Sequence, residues 1–462
     1  MRMILAAVLL AFTPCAQAQL SHETESRIAD AADRILQDSG VPSASVGVVE
    51  EGRIVYTQAF GLARVNPPVP ATTAMAYPIG SISKQFTATA VLLLQQDGKL
   101  SLSDPVGKYF PELTRSGDVK IVNLLSHTSG YQDYAPQDYT IPEWMRPTDP
   151  LKVVREFAGK PLDFEPGTQY QYSNTNFELA ALIVQKVGGE PFAKFLQERV
   201  LGPAGLEHVL NLNTDQSKLE VTGYMRNALA PIRPAALEGP GWYFGDGDLA
   251  MPVGELLKWD IAMMDQSLLS PASYKLMETP FVFKDGRVSG YGLGVTVGTR
   301  DGRRVISHGG EVGGFVAQNT VYPDDKVAIA VLTNQEASNA AGEIATAIGA
   351  LILQRAGPVA APAGFEAKLQ TIMTGLQTGR IDRALFTANC NSYFDKDALD
   401  DFKSSLSPLG AIASVTVERT ALRGGMTFGE YKVTYSGGTA VLVTVYLIPD
   451  GKIEQLLVVG KA

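Results

Sequence analysis

YPIGSISKQFTA, at residues 77–88, is the stretch from which the fold can be inferred, because it opens a run with the periodicity of one buried helix. Apolar residues recur at helical spacing from residue 82 to residue 94. Gly98 supplies the glycine that commonly ends such a helix, since glycine enters the left-handed cap at little cost. The pattern therefore predicts Ser81 at the helix start and Lys84 one turn later on the same face.

The spacing of Ser81 and Lys84 is that of the S-x-x-K pattern found in active-site serine enzymes. A serine hydroxyl is a poor nucleophile until a base takes its proton. A lysine amine one turn away can serve as that base when burial and its neighbours hold it neutral. The N–H groups at the helix start can also receive a developing oxyanion. The pair alone is a weak signal, so its meaning depends on partners farther along the chain.

Length and charge limit the classes of function that the sequence allows. A chain of 462 residues exceeds one compact core, so two domains are expected. The net charge of −9 and the lack of a basic patch argue against a nucleic-acid partner. The sequence contains no H-E-x-x-H motif and no cysteine pair with metal spacing. We therefore expect neither a metal nor another cofactor, and a small-molecule or peptide substrate.

The first 18 residues have the pattern of a secretory signal peptide, with a short basic start, an apolar segment and a small-x-small cleavage site at residues 16–18. Export to the periplasm or the medium is therefore expected. The apolar segment is too short to span a bilayer, so no stable membrane anchor is expected. Cleavage after Ala18 would leave Cys390 as the one cysteine, which excludes an intrachain disulfide and favours a small buried side chain.

Residues 19–357 are predicted to form one α/β (α+β) domain, an antiparallel sheet flanked by helices. Residues from about 100 to 285, rich in proline and in short helical patterns, are predicted to be a mostly helical insert. The predicted strands are residues 43–49, 54–60, 75–79, 291–297, 304–308, 315–322 and 326–332. Besides the helix that begins at Ser81, the predicted helices include residues 23–37, 119–125, 176–186, 255–264 and 340–354.

A stretch rich in proline, alanine and glycine at residues 357–364 predicts a linker, which makes residues 358–462 a second, small α+β domain. Its predicted helices are residues 365–377, 381–388 and 398–406, and its predicted strands are residues 414–419, 427–435, 440–448 and 453–459. This domain shows no catalytic constellation. Binding, dimerisation and shielding of an active site are equally compatible with it, and the oligomeric state stays open.

Tyr172 and Asn174, in a predicted extended loop, are candidate partners of Ser81 and Lys84. A tyrosine near a lysine can share one proton with it, which helps the lysine to act as a base. Asn174 lies two residues on, on the same side of an extended loop, and can exchange hydrogen bonds with a substrate amide. Taken alone, these two residues would also fit a turn with a packed tyrosine.

A second candidate group, His308-Gly309-Gly310, is predicted at the end of a strand. Two consecutive glycines let a ligand approach the backbone closely. An edge strand at this place would offer N–H groups to a substrate backbone and one to an oxyanion. A lone histidine beside glycines is more often structural, so this group gains meaning only together with the others.

The joint order of S-x-x-K, Y-x-N and H-G-G resembles the penicillin-recognising serine hydrolase superfamily, which includes the serine β-lactamases. Within it, the chain is most similar to class C β-lactamases, D-alanyl-D-alanine carboxypeptidases, D-aminopeptidases and β-lactamase-like esterases. The stretches that carry the resemblance are residues 77–88, LLSHTSGY at 124–131, FEPGTQYQYSNTNF at 164–177, SHGGEVGGF at 307–315 and, more faintly, GDGDLAMPVGELLKW at 245–259.

The resemblance implies a β-lactamase/transpeptidase-like fold and a role for each of these residues. Ser81 would be the acylated nucleophile and Lys84 with Tyr172 the shared base. His308 would replace the lysine of the family's K-T-G motif, and His127 would brace a turn. The remaining implied roles are a substrate-amide ligand at Asn174, a substrate-binding strand at Gly309 and Gly310, and an oxyanion hole formed by the backbone N–H groups of Ser81 and Glu311.

Two departures from the K-T-G motif affect the expected substrate. His308 is mostly neutral near pH 7, whereas a lysine would offer a permanent charge to a carboxylate. Glu311 adds a carboxylate nearby, so an anionic β-lactam is disfavoured. The expected function is therefore an exported serine hydrolase that acts through an acyl-enzyme on a D-amino-acid peptide or an ester, with little or no β-lactamase activity. The alternatives are a non-turnover receptor for penicillin or peptidoglycan fragments, and a true class C-like β-lactamase.

Overall fold

A computed structural model describes residues 20–137, 139–227, 230–353, 364–423 and 426–461 of the chain. It divides into two compact units, with the division between Ile352 and Leu353. The predicted signal peptide at residues 1–18 and residues 357–363 of the predicted linker lie outside the described residues. The cleavage site and the linker therefore stay predictions.

The larger unit is built on one seven-stranded antiparallel sheet. The strands of the whole unit, in chain order, are β1 (Ser43–Glu50), β2 (Arg53–Arg64), β3 (Val69–Pro70), β4 (Tyr77–Pro78), β5 (Leu210–Asn211), β6 (Tyr224–Met225), β7 (Arg233–Pro234), β8 (Leu249–Met251), β9 (Thr296–Arg300), β10 (Arg303–Val312), β11 (Phe315–Tyr322) and β12 (Val327–Thr333). The large sheet has the order β3-β2-β1-β12-β11-β10-β9, and the short strands form a three-stranded sheet β4-β8-β5 and a pair β6-β7.

Helices cover both faces of the large sheet. The helices of this unit are α1 (His22–Ser39), α2 (Ser83–Gln96), α3 (Ile121–Leu125), α4 (Pro150–Phe157), α5 (Asn174–Gly188), α6 (Phe192–Leu196), α7 (Val253–Met264), α8 (Pro271–Met277) and α9 (Ala340–Ile352). Gly47 of β1 faces Leu257 of α7, whereas Ile329 of β12 faces Gly349 of α9. Gly47 pairs with Ala330, the residue next to Ile329, and successive residues of a strand point to opposite faces. The central strands are therefore buried on both sides.

The predicted nucleophile helix is α2, and its first twelve residues are buried. A 3-10 turn over Gly80–Ile82 precedes it, so Ser81 lies in this turn and not in the α-helix itself. The ring of Phe86 stacks on Trp259 of α7 with centroids 4.1 Å apart. Helix α2 also packs against α5, which begins beside Tyr172. The core therefore fixes the segments that carry the predicted catalytic residues.

Two predicted strands of this unit are wrong over most of their length. The strand predicted at residues 75–79 is reduced to β4 at Tyr77–Pro78. Residues 291–297 were expected to be extended, but β9 begins at Thr296. The backbone N–H of Leu293 donates to Met277, and that of Gly294 donates to Leu125, at 2.9 and 3.0 Å. These bonds to the insert and to α8 take the backbone donors that a strand ladder would need.

The smaller unit is an α+β unit with its own hydrophobic core. It contains α10 (Phe365–Gln377), α11 (Ala388–Tyr393), α12 (Lys396–Leu406), β13 (Ile412–Arg423), β14 (Met426–Tyr435), β15 (Ala440–Leu447) and β16 (Ile453–Lys461), and its four strands form an antiparallel sheet in chain order. The helix predicted at residues 381–388 is wrong. The side chain of Asp382 accepts a hydrogen bond from the backbone N–H of Ala384, which starts a 3-10 turn. The side chain of Thr387 accepts one from the backbone N–H of Cys390, which starts α11.

Cys390 in α11 is a free cysteine, and it is buried, as the sequence predicted for a small packed side chain. Among the helices of the described ranges, none is long and apolar enough to cross a membrane.

Candidate active site

The turn that carries Ser81 is in backbone contact with strand β10. Gly80 has a φ of 51°, a conformation that favours glycine. A Cβ atom on Gly80 would lie 2.6 Å from the backbone N of Glu311, and one on Gly310 would lie 1.8 Å from the carbonyl oxygen of Ile79. Only residues without side chains allow this approach, which places Ser81 beside the backbone of Glu311.

Lys84 lies under Ser81 with three polar neighbours at hydrogen-bond distance. Its Nζ is 2.9 Å from Oγ of Ser81, 2.7 Å from Oδ1 of Asn174 and 2.8 Å from the carbonyl oxygen of Asp246. The two carbonyl oxygens can only accept, so they take two N–H groups of the amine. In a neutral lysine the remaining lone pair therefore faces the Ser81 hydroxyl, which is the arrangement that a general base needs.

Burial lowers the pKa of Lys84 to about 8, because the charged ammonium loses its hydration. Four carboxyl groups nearby, those of Asp246, Asp133, Glu178 and Asp248, act in the opposite direction and favour the charged form. The balance leaves a substantial fraction of Lys84 neutral at mildly alkaline pH. The side chain therefore meets the main requirement for a base at this position.

Tyr172 is a second neighbour of Ser81, and it keeps its proton. Burial raises the pKa of its phenol, while a hydrogen bond with Ser81 acts in the opposite direction. The Lys84 Nζ lies 4.9 Å from the centroid of the Tyr172 ring. Since the pKa of Lys84 falls and that of Tyr172 rises, Lys84 is the better base and Tyr172 the better proton donor.

His127 supports the segment that holds Tyr172. Its Nδ1 accepts a bond from the backbone N–H of Ser173 at 3.2 Å, and its carbonyl oxygen accepts one from Gln171 at 3.0 Å. The ring lies 4.2 Å from that of Tyr172. Burial holds the pKa of His127 well below its usual range, so the ring is neutral and can accept at Nδ1. These contacts fit the bracing role expected for it.

Asn174 is the first residue of helix α5, so the predicted extended loop at this position is wrong. Ser173 has extended backbone angles, and the chain enters the helix one residue later. The Asn174 carboxamide has partners at both ends. Its oxygen accepts from Lys84, and its Nδ2 donates to Oδ2 of Asp133 at 3.3 Å and to the carbonyl oxygen of Ala135 at 3.4 Å.

His308 lies within a strand, whereas the sequence predicted that the strand ends there. Strand β10 continues to Val312 because His308 and its successors pair with β11. The pairing with β9 stops at Ser307, so this part of β10 lies past the end of β9. The Nε2 of His308 is 2.8 Å from the hydroxyl of Tyr291, and burial lowers the pKa of His308 to about 4. The ring is therefore neutral.

A sequence profile of the Beta-lactamase family matches residues 28–354. The chain belongs to the Beta-lactamase family. It is a serine hydrolase of this family, which confirms the resemblance inferred from the sequence motifs.

Curated proteins of similar sequence match nearly two thirds of this chain. A penicillin-binding protein of Bacillus subtilis (strain 168) is 27% identical over 309 residues, which are 64% of this chain and 68% of that protein. A D-aminopeptidase of Gluconobacter oxydans (strain 621H) is 28% identical over 303 residues. Those residues are 63% of this chain and 56% of the aminopeptidase, so this chain spans little more than half of that relative's length.

A solved structure shows the same fold over nearly the whole chain. The octameric penicillin-binding protein homologue from Pyrococcus abyssi has a TM-score of 0.63 at 21% sequence identity, and the alignment covers 95% of this chain and 99% of that one. The prediction of a β-lactamase/transpeptidase-like fold is therefore confirmed.

The cleft of this Beta-lactamase family member has two cavities that meet at Ser81, Tyr172 and Glu311. The larger, of about 950 Å³, follows the strand residues His308, Gly309 and Gly310 and the helix α9. The smaller, of about 350 Å³, lies toward the insert and is lined by Asn174 and by carboxyl groups. Those acidic residues are Asp133, Glu238, Asp246, Glu311 and Glu336, and no described residue lining this cavity is Lys, Arg or His.

No sequence pattern predicted Asp133, Glu238, Asp246 or Glu336 as residues of the site. Asp246 lies in the matched stretch at residues 245–259, and Asp133 follows the matched stretch LLSHTSGY by two residues, so a weak signal existed for both. Glu238 and Glu336 lie outside the quoted motifs. Over the described part of the chain, no group of three or more His, Cys, Asp or Glu side chains has an arrangement that could hold a metal ion.

Proposed function

We propose that this chain hydrolyses amide bonds of D-amino-acid substrates through an acyl-enzyme on Ser81. The observation that carries the proposal is the set of three contacts at Lys84, which directs its lone pair to the Ser81 hydroxyl. In the first half-reaction Lys84 takes the hydroxyl proton, and Oγ of Ser81 bonds to the substrate carbonyl carbon. The backbone N–H groups of Ser81 and Glu311 would receive the oxyanion.

Collapse of this intermediate breaks the C–N bond, and the leaving amine needs a proton. Tyr172 can supply it, since it hydrogen-bonds Ser81 and keeps its own proton, and Lys84 then restores the phenol. Water attacks the resulting ester in the second half-reaction, with Lys84 again as the base. This step releases the acid and returns Ser81 to its starting state.

The electrostatics of the cleft favour a substrate that presents an amino group to the smaller cavity. Glu238 and Glu336 are 3% and 8% exposed, and each accepts a bond from one of the adjacent N–H groups of Gly313 and Gly314. Their carboxyl groups therefore lie close together, and burial raises the pKa of Glu336 with a further rise from Glu238. A neutral His308 offers no charge to a carboxylate. The similarity to a D-aminopeptidase supports the same class of substrate.

Ester hydrolysis would use the same acyl-enzyme, and efficient β-lactamase activity is not expected, because anionic β-lactams would meet the acidic lining. We also propose that the protein is exported, on the basis of the signal pattern at residues 1–18. The alternative is a non-turnover receptor. Such a receptor would either stay acylated, because water does not attack the ester, or bind its ligand without being acylated.

Intact-protein mass spectrometry tests the proposal on the mature chain and on Ser81→Ala. Each protein is incubated with a fluorophosphonate, with a labelled penicillin, and with the p-nitroanilides of D-alanine and L-alanine. We expect one phosphonate adduct that is absent in the variant, and release of nitroaniline from the D-isomer only. An adduct without turnover would favour the receptor. No adduct in the mature chain would overturn the proposed function.

A further inference from the structure

Asp133 contacts the start of helix α5 from a loop that lies 41 residues earlier in the chain. Its Oδ1 accepts bonds from the backbone N–H groups of Asn174, at 2.9 Å, and Ala135, at 3.1 Å. Ser173 caps the helix with no side-chain bond of its own. The carboxylate of Asp133 therefore supplies the acceptor that the first N–H group of the helix needs.

The other carboxylate oxygen of Asp133 determines which way the Asn174 carboxamide is turned. Oδ2 of Asp133 and the carbonyl oxygen of Ala135 can only accept, so both require the Nδ2 end of the amide. A half-turn of the carboxamide would set its oxygen against these two acceptors. It would also bring Nδ2 to Lys84, where the amide would donate to the lysine lone pair and draw it away from Ser81.

Asp133 also acts on Lys84 through its charge. It is one of the carboxylates that favour the protonated lysine, and so its negative charge raises the pKa of Lys84. The charged and titratable groups that face Lys84 are Asp133, Glu178, Asp246, Asp248, Tyr172, His127 and His308. Of the four acids, only Asp133 also bonds the carboxamide that contacts the amine.

We propose that Asp133 is a positioning residue for acyl transfer, which holds the Asn174 oxygen on Lys84 and thereby keeps the lysine lone pair directed at Ser81. The proposal rests on the proposed function, since it concerns the base of that reaction. The hydrogen bonds that Asp133 accepts from Asn174 and Ala135 reach neither Ser81 nor Lys84, so its positioning effect passes through Asn174 and is separate from the effect of its charge on the pKa of Lys84.

The test is a double-mutant cycle of Asp133→Asn and Asn174→Ala, with the rate constant of phosphonate labelling at Ser81 as the readout. Asp133→Asn keeps an oxygen for the two backbone N–H groups, so the helix start should stay intact. Its new Nδ2 group can donate to the oxygen of a flipped Asn174 carboxamide. The labelling rate constant on the high-pH plateau should therefore fall roughly 10- to 100-fold, the size of effect that misplacement of a catalytic group produces. The rising limb of the pH profile should move to lower pH, because Lys84 loses a neighbouring negative charge.

In the Asn174→Ala background, the same change at Asp133 should alter the rate constant on the high-pH plateau less than about threefold. The side chain that it positions is gone, and on the plateau Lys84 is already neutral, so the charge of Asp133 no longer matters there. Asp149→Asn is the matched control, since Asp149 accepts a backbone bond at the start of α4 in the predicted insert and is not one of the acids that shift the pKa of Lys84. It should label like the parent protein. Equal losses in both backgrounds, or an unchanged rate and pH profile for Asp133→Asn, would overturn the positioning role. A parent protein that is not labelled would overturn the proposed function itself.

Discussion

Burial acts differently on the three titratable side chains beside Ser81, and the differences separate their roles. Removing an ammonium from water lowers its pKa, whereas removing a phenolate from water raises the pKa of the phenol. Lys84 accordingly has a pKa of about 8, that of Tyr172 is raised, and that of His308 falls to about 4. Among these groups, Lys84 is the one whose protonation changes near neutral pH.

The rate of Ser81 acylation should therefore rise with pH and level off above a midpoint near 8. The base must be neutral to take the hydroxyl proton, and the neutral fraction grows as pH passes the pKa of Lys84. Labelling by a fluorophosphonate, followed by mass spectrometry across a pH series, measures this limb. Lys84→Met should abolish this rise of the labelling rate with pH. A labelling rate that stays level as pH passes the pKa of Lys84 would contradict its role as the base, and would fit a histidine with a lowered pKa, such as His127 or His308.

Single site residues could be predicted from the sequence where a short pattern links them. Residues that join the site only through contacts with distant parts of the chain could not be predicted in this way. Ser81 and Lys84 are three residues apart, and their geometry follows from one helical turn. Asp246 meets Lys84 across 162 residues, and Asp133 meets Asn174 across 41. No local pattern encodes such contacts, because aspartates are also ordinary turn and cap residues.

The position of Ser81 in the site depends on the backbone contact between the 3-10 turn at Gly80–Ile82 and strand β10. Gly310→Ala would place a Cβ atom 1.8 Å from the carbonyl oxygen of Ile79, and backbone atoms cannot yield as a flexible side chain can. Strand and turn would have to separate, which moves the N–H of Ser81 away from that of Glu311. Labelling and turnover should fall at least ~100-fold, comparable with the loss of an oxyanion donor.

Gly309→Ala is the control for this prediction, because it makes the same change one residue earlier on the same strand. Its nearest neighbour would be Oε1 of Gln318 at 3.7 Å, an ordinary contact. Phosphonate labelling of this variant should stay within about threefold of the parent, since no backbone has to move. Similar losses in both variants would contradict the argument from the turn, and circular dichroism would show whether either variant is unfolded.

Elements with strong periodicity were predicted well, and those shaped by tertiary contacts were not. Helix α1 and strands β11 and β12 lie within two residues of their predicted bounds. Strand β10 extends to Val312 through glycines that have little intrinsic strand preference, because pairing with β11 decides its length. Asn174 shows the same effect, since its place in a helix depends on a carboxylate from another loop.

At the scale of the whole molecule, the two compact units have separate hydrophobic cores. The buried apolar residues of the larger unit lie between Ile28 and Ile348, and the core cluster of the smaller unit lies between Phe365 and Leu456. Every described residue that lines the two cavities at Ser81 belongs to the larger unit. The sequence predicts two domains joined by a linker at residues 357–364. If this division holds, the larger unit can fold alone.

A chain that ends at residue 353 should therefore be soluble, unfold in one cooperative transition and label at Ser81 within about threefold of the rate of the full chain. Calorimetry and phosphonate labelling measure these properties, with Ser81→Ala in the shortened chain as the control. Size-exclusion chromatography of both chains reports whether the last hundred residues, roughly the size of one small domain, change the oligomeric state. A shortened chain that folds but does not label would contradict the prediction, and would mean that the smaller unit is needed for an active cleft.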